Sequence, residues 1–236
     1  MARKKKKTTK SLAGNLITLV NPSSLVSEQF KTLRTNIQFT MVDQKLKTLV
    51  ITSAAPNAGK STVSANLAIT FAMQGLKVLL VECDLRRPSV HKLFHVSNIK
   101  GITNLLTDSE ARIEDNLVVS EQENLSLLLS GPLPPNPAEL LGSNRMGQLQ
   151  AELENHFDLI IFDTPPLLGF TDGQILAGRS DGTIFVIHHG VAKKENMLKA
   201  NEILKRVNAN VLGAVYNFAP QSTQDMSYYD YYNERD

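Results

Sequence analysis

The sequence predicts an α/β fold in which a parallel sheet is covered by helices on both faces. Short, almost wholly apolar runs alternate with segments of helical periodicity along most of the 236 residues. Runs without a polar face are typical of strands that are buried on both sides, as in parallel sheets. The length suits one such domain with extra segments, and the 42% hydrophobic content allows a sizeable buried core.

The elements follow in order along the chain. Apolar positions recur at helical spacing over residues 23–39, and a second helix is predicted over residues 60–74, where Gly75 ends it. A further helix is predicted over residues 193–207, and the proline-rich residues 131–137 are predicted to be a loop. Six apolar runs are predicted to be strands: residues 48–52, 78–81, 125–129, 159–162, 183–187 and 211–216.

Both ends of the chain differ in composition from this middle part. Residues 1–22 are predicted to be a basic, flexible N-terminal arm, residues 23–220 the α/β domain, and residues 221–236 a flexible, tyrosine-rich tail. Without the arm, the formal charge of +2 would become negative, so the composition does not predict nucleic-acid binding by the whole protein. Whether the arm binds anionic lipid or is a solvated leader stays open.

Two absences in the sequence bear on location. Cys83 is the single cysteine, so no intramolecular disulfide can form. No apolar run reaches the roughly 18 residues of a membrane span, and no apolar signal-peptide stretch follows the basic start. We therefore expect a cytoplasmic protein that associates with a membrane through its arm or through a partner.

Residues 53–62 read Ser-Ala-Ala-Pro-Asn-Ala-Gly-Lys-Ser-Thr and match the phosphate-loop pattern G-x-x-x-x-G-K-[ST] except for the alanine at position 54. They follow a predicted buried strand and open a long helix, so backbone N–H groups and the helix N-terminus can cradle phosphates. Lys60 is predicted to contact the β and γ phosphates, and Ser61 to hold Mg²⁺. The fold is therefore predicted to be of the phosphate-loop NTPase type, with ATP and Mg²⁺ as cofactors. The predicted nucleotide-binding residues are Ala55, Pro56, Asn57, Ala58, Gly59, Lys60, Ser61, Thr62 and Asn217.

Carboxylates stand at two other predicted strand ends. Asp163 closes the strand of residues 159–162 and is followed by Thr-Pro-Pro, an arrangement that suits a second Mg²⁺ anchor. Glu82, Asp84 and Arg86 alternate along an extended segment, so they are predicted to point to one side. In a parallel sheet, such strand ends meet at one edge. The predicted catalytic residues are Lys60, Glu82, Asp84 and Arg86, and the predicted metal ligands are Ser61, Asp84 and Asp163.

These three motifs together resemble those of the bacterial tyrosine kinases of capsule and exopolysaccharide synthesis, over nearly the whole chain. That family carries a phosphate loop, an apolar run followed by D-x-D-x-R, and an apolar strand followed by D-x-P-P, to which residues 53–62, 81–86 and 163–166 are similar. The family also ends in a tyrosine cluster, and four of the five tyrosines here lie within residues 228–232. The resemblance implies an ATP-dependent protein-tyrosine kinase that autophosphorylates this cluster and regulates capsular or exopolysaccharide biosynthesis. The implied phosphoacceptors are Tyr228, Tyr229, Tyr231 and Tyr232.

Two positions depart from the family pattern. The family's ring contact has the spacing E-x-x-R-x-x-R on the first helix, and here Glu28, Lys31 and Arg34 occupy it on one helix face. Lys31 keeps the positive charge of the arginine in the family pattern, but it cannot form two parallel hydrogen bonds, so the ring contact is expected to be weaker. The first aspartate of D-x-D-x-R is Glu82, which is one methylene longer, so Asp84 is favoured as the group that accepts or orients the tyrosine proton.

The resemblance also implies partners. They are further copies of the chain in a homo-oligomeric ring, a transmembrane polysaccharide co-polymerase that activates the kinase, and a cognate tyrosine phosphatase. An asparagine at the end of the last strand meets the adenine in related nucleotide-binding folds. For Asn217 this role and that of a loop cap stay open.

Two other functions remain as alternatives. The ParA/MinD-type partitioning and cell-division ATPases share the second and third motifs loosely, but they carry an additional lysine early in the phosphate loop. Here the loop has no lysine before Lys60, and this absence and the tyrosine cluster favour the kinase. The second alternative is a non-catalytic, nucleotide-binding regulator.

Overall fold

Seven strands form one sheet in the computed structural model, which describes residues 16–40 and 45–220. Across the sheet the order is β3-β4-β2-β5-β1-β6-β7, and every neighbouring pair is parallel except β3 and β4. In chain order the strands are β1 (Thr48–Ser53), β2 (Val78–Glu82), β3 (Leu117–Val119), β4 (Leu125–Leu128), β5 (Leu159–Asp163), β6 (Gly182–His188) and β7 (Val211–Asn217).

Helices cover both faces of this sheet. In chain order they are α1 (Ile17–Val20), α2 (Leu25–Thr40), α3 (Lys60–Ala72), α4 (Val90–Leu93), α5 (Ile102–Thr107), α6 (Pro137–Gly142), α7 (Asn144–His156), α8 (Asp172–Ala177) and α9 (Lys194–Arg206). None of the helices in the described part of the chain combines the length and the apolar character that crossing a membrane demands.

The core lies on both faces of the sheet, because successive side chains of each central strand point in opposite directions. Leu49 and Ile51 of β1 pack with α3 in one hydrophobic cluster, whereas Val50 packs in the other, with residues of α7 and α8. Leu79 and Leu80 of β2 divide between the same two clusters. These strands are buried on both sides, which explains why their central residues are apolar and why polar residues stand only toward their ends.

The order of the strands brings the three motifs together. β1 lies beside β5, and β5 lies beside β2, all three parallel. Asp163 is the register partner of Ile51 on one side and of Glu82 on the other. The carboxyl ends of β1, β5 and β2 therefore meet at one edge, as the sequence predicts for a ligand site.

The predicted fold class is confirmed, and each of the six predicted strands is present with an end that differs by at most two residues. β3 was not predicted; it is three residues long and pairs antiparallel with β4 at the sheet edge. The helices α1 and α4 to α8 were not predicted either, and all of them except the 13-residue α7 have six residues or fewer, too few for a periodic pattern. The predicted loop at 131–137 is shortened by one residue, because Pro137 begins α6.

The segment just before α2 belongs to the packed domain. The Thr18 backbone N and Oγ1 donate hydrogen bonds of 3.0 and 2.8 Å to Asn66 Oδ1 on α3, and Leu16 is buried. The predicted arm covers residues 1–22, so its last part is folded against α3 and the boundary lies earlier than residue 22. The predictions for residues 1–15 and for the tail of residues 221–236 fall outside the described residues.

Candidate active site

The phosphate loop joins β1 to α3 in the predicted position. Gly59 is the residue before α3 and has φ +85°, a conformation that side chains with a Cβ atom disfavour. A Cβ atom on Gly59 would lie 2.1 Å from Asn217 Nδ2. Lys60 begins α3 and is buried, and no acidic residue stands in the first turn of the helix. The helix N-terminus therefore presents its positive end without a competing carboxylate on that turn.

Contacts from neighbouring strand ends hold the loop in place. Asn217, at the end of β7, donates a 3.0 Å hydrogen bond to the Ala58 carbonyl. Ser53 Oγ donates to the Ala55 carbonyl at 2.7 Å, and the Leu167 backbone N donates to the Ser53 carbonyl at 2.9 Å. Asn217 thus makes a loop contact, and its contact with the adenine stays a prediction.

A cavity of about 410 Å³ opens in front of the loop, within the roughly 300–1,000 Å³ of ligand pockets. It is bounded by segments from all three strand ends. The lining residues are Pro56, Asn57, Gly59, Lys60, Ser61 and Thr62 of the loop, Asp84, Arg86, Arg87, Ser89 and Leu93 after β2, and Pro165, Pro166 and Phe170 after β5. Ala55 and Ala58, also predicted to bind nucleotide, face a smaller cleft against residues 188–193 instead.

Asp163 lies at the base of this arrangement with no solvent exposure. Its Oδ1 accepts a 3.1 Å hydrogen bond from Ser64 Oγ, but its Oδ2 has no hydrogen-bond partner among the described residues. Burial raises the pKa of Asp163 to about 7, although Lys60 and Ser61 act in the opposite direction. A buried carboxylate oxygen without a protein partner is uncommon in folded proteins, and Asp163 Oδ2 is therefore suited to bind a cation.

Asp84 and Arg86 line the cavity as predicted. Asp84 Oδ1 accepts hydrogen bonds from the backbone N of Arg86, at 3.3 Å, and of Arg87, at 3.0 Å, which fixes the turn after β2. Arg86 forms a bidentate ion pair with the fully buried Asp172, through Nε to Oδ2 at 2.8 Å and Nη2 to Oδ1 at 3.2 Å. Its guanidinium also lies 4.5 Å from the centre of the Phe170 ring. The hydrogen bonds to Asp172 raise the pKa of Arg86.

Glu82 differs from the prediction, because it is fully buried and does not line the cavity with Asp84 and Arg86. Its Oε1 accepts hydrogen bonds from the backbone N of Ser89 and of Val90, the latter at 2.6 Å, and its Oε2 accepts one of 3.4 Å from the Ser130 backbone N. Burial raises the pKa of Glu82, while these amides act against the shift. The longer side chain thus anchors the start of α4.

Ser89 links this anchor to the phosphate loop. Its Oγ donates a 2.8 Å hydrogen bond to Ser61 Oγ, the predicted Mg²⁺ ligand, while its backbone N is held by Glu82. Glu82 therefore acts on the site through Ser89 in this structure.

The three residues predicted to form the oligomer contact, Glu28, Lys31 and Arg34, do not all face solvent. Lys31 Nζ lies 2.7 Å from Glu28 Oε1 on the exposed side of α2, as the spacing predicts. Arg34 turns toward α3 and donates a 2.9 Å hydrogen bond to the Thr70 carbonyl. The four tail tyrosines predicted as phosphoacceptors lie outside the described residues.

Sequence reasoning missed Asp172, Phe170 and Ser89. Asp172 stands 86 positions from the arginine that it binds, and no pattern around it marks it as a partner. Aspartate is common in the first turn of helices, so the position of Asp172 in α8 does not by itself indicate a functional role. Only the arrangement of β2 beside β5 brings these side chains to Arg86 and Ser61.

Comparison with known proteins gives consistent matches. Residues 46–211 match a family model described as an AAA domain. Tyrosine-protein kinase YwqD of Bacillus subtilis (strain 168) is 46% identical over 94% of this chain and 92% of its own length. Tyrosine-protein kinase Wzc of Salmonella typhimurium is 33% identical over 94% of this chain, which spans 31% of that relative.

Solved structures agree with these matches. The crystal structure of the chimerical protein CapA2B2 matches with a TM-score of 0.85 and 36% identity, over 88% of this chain and 91% of that one. The septum site-determining protein MinD of Pyrococcus horikoshii OT3 matches with a TM-score of 0.63 and 23% identity, over 76% and 73%, and shares the fold alone. The tyrosine-kinase interpretation is thereby supported over the ATPase alternative, and the chain belongs to the family of bacterial tyrosine-protein kinases.

Proposed function

We propose that this kinase transfers the γ-phosphoryl group of Mg²⁺–ATP to its own C-terminal tyrosines, Tyr228, Tyr229, Tyr231 and Tyr232, and so regulates capsule or exopolysaccharide synthesis. The observation that carries the proposal is one cavity that brings Lys60 of the phosphate loop together with the carboxylate of Asp84, directly beside the buried Asp163. Such a site has a place for the phosphates, a place for a cation and a group that can receive the acceptor's proton.

The residues beside the loop fit Mg²⁺. Asp163 Oδ2 is buried without a partner, and Ser61 and Asp84 add oxygen atoms, which are the ligands that Mg²⁺ prefers. The described residues contain no cluster of three or more His, Cys, Asp or Glu for a metal, as expected for an ion that takes its other ligands from phosphates and water. Bound there, Mg²⁺ would neutralise negative charge on the β and γ phosphates.

The remaining steps belong to the side chains of the chain itself. Lys60 and the N–H groups of the loop stabilise negative charge on the phosphates. Asp84 accepts the proton of the tyrosine hydroxyl as the phenol oxygen bonds to the γ phosphorus and the bond to the β-phosphate oxygen breaks, which releases ADP. Asp84 Oδ2 suits this role, because both backbone N–H groups that bind Asp84 donate to Oδ1. Arg86, held by Asp172, adds positive charge at the edge of the cavity.

We also propose that transfer takes place between neighbouring copies in a ring. Glu28 and Lys31 on the exposed side of α2 are the proposed contact, and Arg34 contributes only if it leaves the Thr70 carbonyl. An activating transmembrane co-polymerase would hold the ring at the cytoplasmic side of a membrane, and a cognate phosphatase would reverse the modification. The chain spans 92% of YwqD and 31% of Wzc.

The test is transfer of label from γ-labelled ATP in the presence of Mg²⁺. The unsubstituted chain should carry label on tyrosine, whereas Lys60→Met should lose at least about 100-fold of the labelling rate, because the β and γ phosphates lose their charged partner. Lys92→Met is the matched control and should label normally, because Lys92 is an exposed lysine of α4 that does not line the cavity. Free phosphate without protein label would instead indicate an ATPase.

A further inference from the structure

Two adjacent arginines at the cavity are in opposite situations. The guanidinium of Arg86 is neutralised by the bidentate pair with Asp172 and is packed against Phe170. Arg87 is exposed, and its side chain makes no ion pair or hydrogen bond with residues 16–40 or 45–220. The charge of Arg86 is therefore used in a contact within the fold, whereas the charge of Arg87 can interact with a ligand.

The backbone of Arg87 is nevertheless fixed. Its N–H donates the 3.0 Å hydrogen bond to Asp84 Oδ1, the carboxylate that we assign to the acceptor proton. The guanidinium thus extends from a fixed turn directly beside the proposed base. When it binds a ligand, only the rotatable bonds of its own side chain lose conformational freedom, so the entropic cost of binding is small.

The wall around Arg87 suits a tyrosine ring. Pro165 and Pro166 are buried and Phe170 is half-buried, and all three line the cavity with Asp84 and Arg87. An apolar wall next to a carboxylate can pack a phenol ring while its hydroxyl reaches the carboxylate. The residues that flank the acceptor tyrosine then lie at the rim, where Arg87 is.

The sequence of the tail supplies the complementary charge. Asp230 lies within two positions of Tyr228, Tyr229, Tyr231 and Tyr232, and Glu234 lies two positions after Tyr232. Each candidate acceptor therefore carries a carboxylate one or two residues away. Arginine binds carboxylates through two parallel hydrogen bonds, which gives geometric selectivity as well as attraction.

We propose that Arg87 determines acceptor specificity by binding the carboxylate one or two residues from the acceptor tyrosine. This inference rests on the proposed function, since it concerns the acceptor side of the same site. The chemical class of acceptor is a tyrosine in an acidic segment, whether in the tail of another copy or in another protein.

The experiment uses a peptide of residues 225–236 and the full chain with its four tail tyrosines replaced by phenylalanine, so that the peptide is the measured acceptor. The unsubstituted peptide is compared with one that carries Asp230→Asn and Glu234→Gln. Steady-state kinetics give kcat and KM for the peptide and KM for ATP. Binding of the fluorescent peptides to the chain with Mg²⁺ and a non-hydrolysable ATP analogue gives Kd independently of turnover.

Arg87→Gln should raise KM and Kd for the acidic peptide by about 3–10-fold, because one charge-assisted pair is lost at a partly exposed site. It should leave KM for ATP unchanged and abolish the preference between the two peptides. Arg87→Lys should restore the preference in part, and Arg87→Glu should prefer a peptide with Asp230→Lys. Arg112→Gln, an exposed arginine outside the cavity that pairs with Glu114, is the matched control and should retain the preference.

The inference is overturned if Arg87→Gln keeps the full preference for the acidic peptide. It is also overturned if the main effect of Arg87→Gln is a higher KM for ATP, which would assign the guanidinium to the nucleotide, or if the chain with Arg87 intact shows no preference. Failure of that chain to label tyrosine in any peptide would instead contradict the proposed function, and with it the inference.

Discussion

The two walls of the cavity are built from different parts of the chain. The phosphate-loop wall depends on backbone geometry within residues 53–62, with Gly59 at φ +85° and the start of α3 immediately after it. The wall after β2 and β5 depends on side chains, above all on Arg86, whose partner Asp172 is 86 positions away. A single substitution within residues 53–62 can therefore disrupt the phosphate-loop wall. The wall after β2 and β5 tolerates substitutions that leave its long-range contacts intact.

Asp163 lies where the two walls meet, and its substitution should have the largest effect on stability and on activity. Because its pKa in the folded chain is raised to about 7 from 3.8, the folded state favours the protonated form. Its contribution to stability is present at low pH and is lost as the pH rises from about 4 through 7. Between pH 5 and pH 8, the free energy of unfolding of the ligand-free chain should fall by about 3 kcal/mol relative to that of Asp163→Asn, whose side chain cannot ionise.

Urea unfolding in EDTA at the two pH values measures this difference. A gap between the two proteins that stays constant from pH 5 to pH 8 would show that burial does not raise the pKa of Asp163. The same substitution should abolish tyrosine labelling, since it removes a proposed Mg²⁺ ligand.

Gly59→Ala tests the backbone wall. The positive φ would be strained, and Asn217 Nδ2 would have to move from the new Cβ atom and give up its hydrogen bond to the Ala58 carbonyl, so nucleotide affinity should fall about 10-fold. Gly75→Ala is the matched control, because Gly75 has φ +87° but no atom within 4 Å of the Cβ position. It should cost about 1 kcal/mol of stability and leave affinity for Mg²⁺ and an ATP analogue unchanged in calorimetry. Equal affinity in Gly59→Ala would refute a backbone-built phosphate site.

Asp172→Asn tests the side-chain wall. The substitution removes the charge that holds Arg86, so kcat should fall about 10-fold while KM for ATP changes little. Asp181→Asn is the control: Asp181 accepts hydrogen bonds from Lys47 and Thr48 at the start of β1, away from the cavity, and the substitution should lower stability but not kcat. An equal fall in kcat for Asp172→Asn and for the control Asp181→Asn would favour general unfolding over a loss of Arg86 positioning.

The same contrast explains how much could be predicted from the sequence. The fold and the phosphate loop follow from local patterns, because buried strands and a backbone cradle need particular residues at adjacent positions. Asp84 and Asp163 could be named from their places after apolar runs, since strand ends meet in a parallel sheet.

The contacts of the second wall could not be predicted in this way. Glu82 was expected beside Asp84, but its longer side chain reaches the amides of α4 and leaves the cavity. Arg34 was expected at an outer face, but a carbonyl of α3 lies within its reach. Both outcomes depend on which elements pack together, and that information is spread over the whole chain.

A mixture of two variants tests the central claim, transfer from this cavity to the tyrosine tail of another copy. One variant carries Lys60→Met with its tail intact, and the other keeps Lys60 but carries Tyr→Phe at positions 228, 229, 231 and 232. After incubation with Mg²⁺ and ATP, mass spectrometry should find phosphate on the tail tyrosines of the Lys60→Met chain in the mixture, and none when that chain is incubated alone. An unmodified tail in the mixture, under conditions in which the unsubstituted chain modifies its own, would contradict the account.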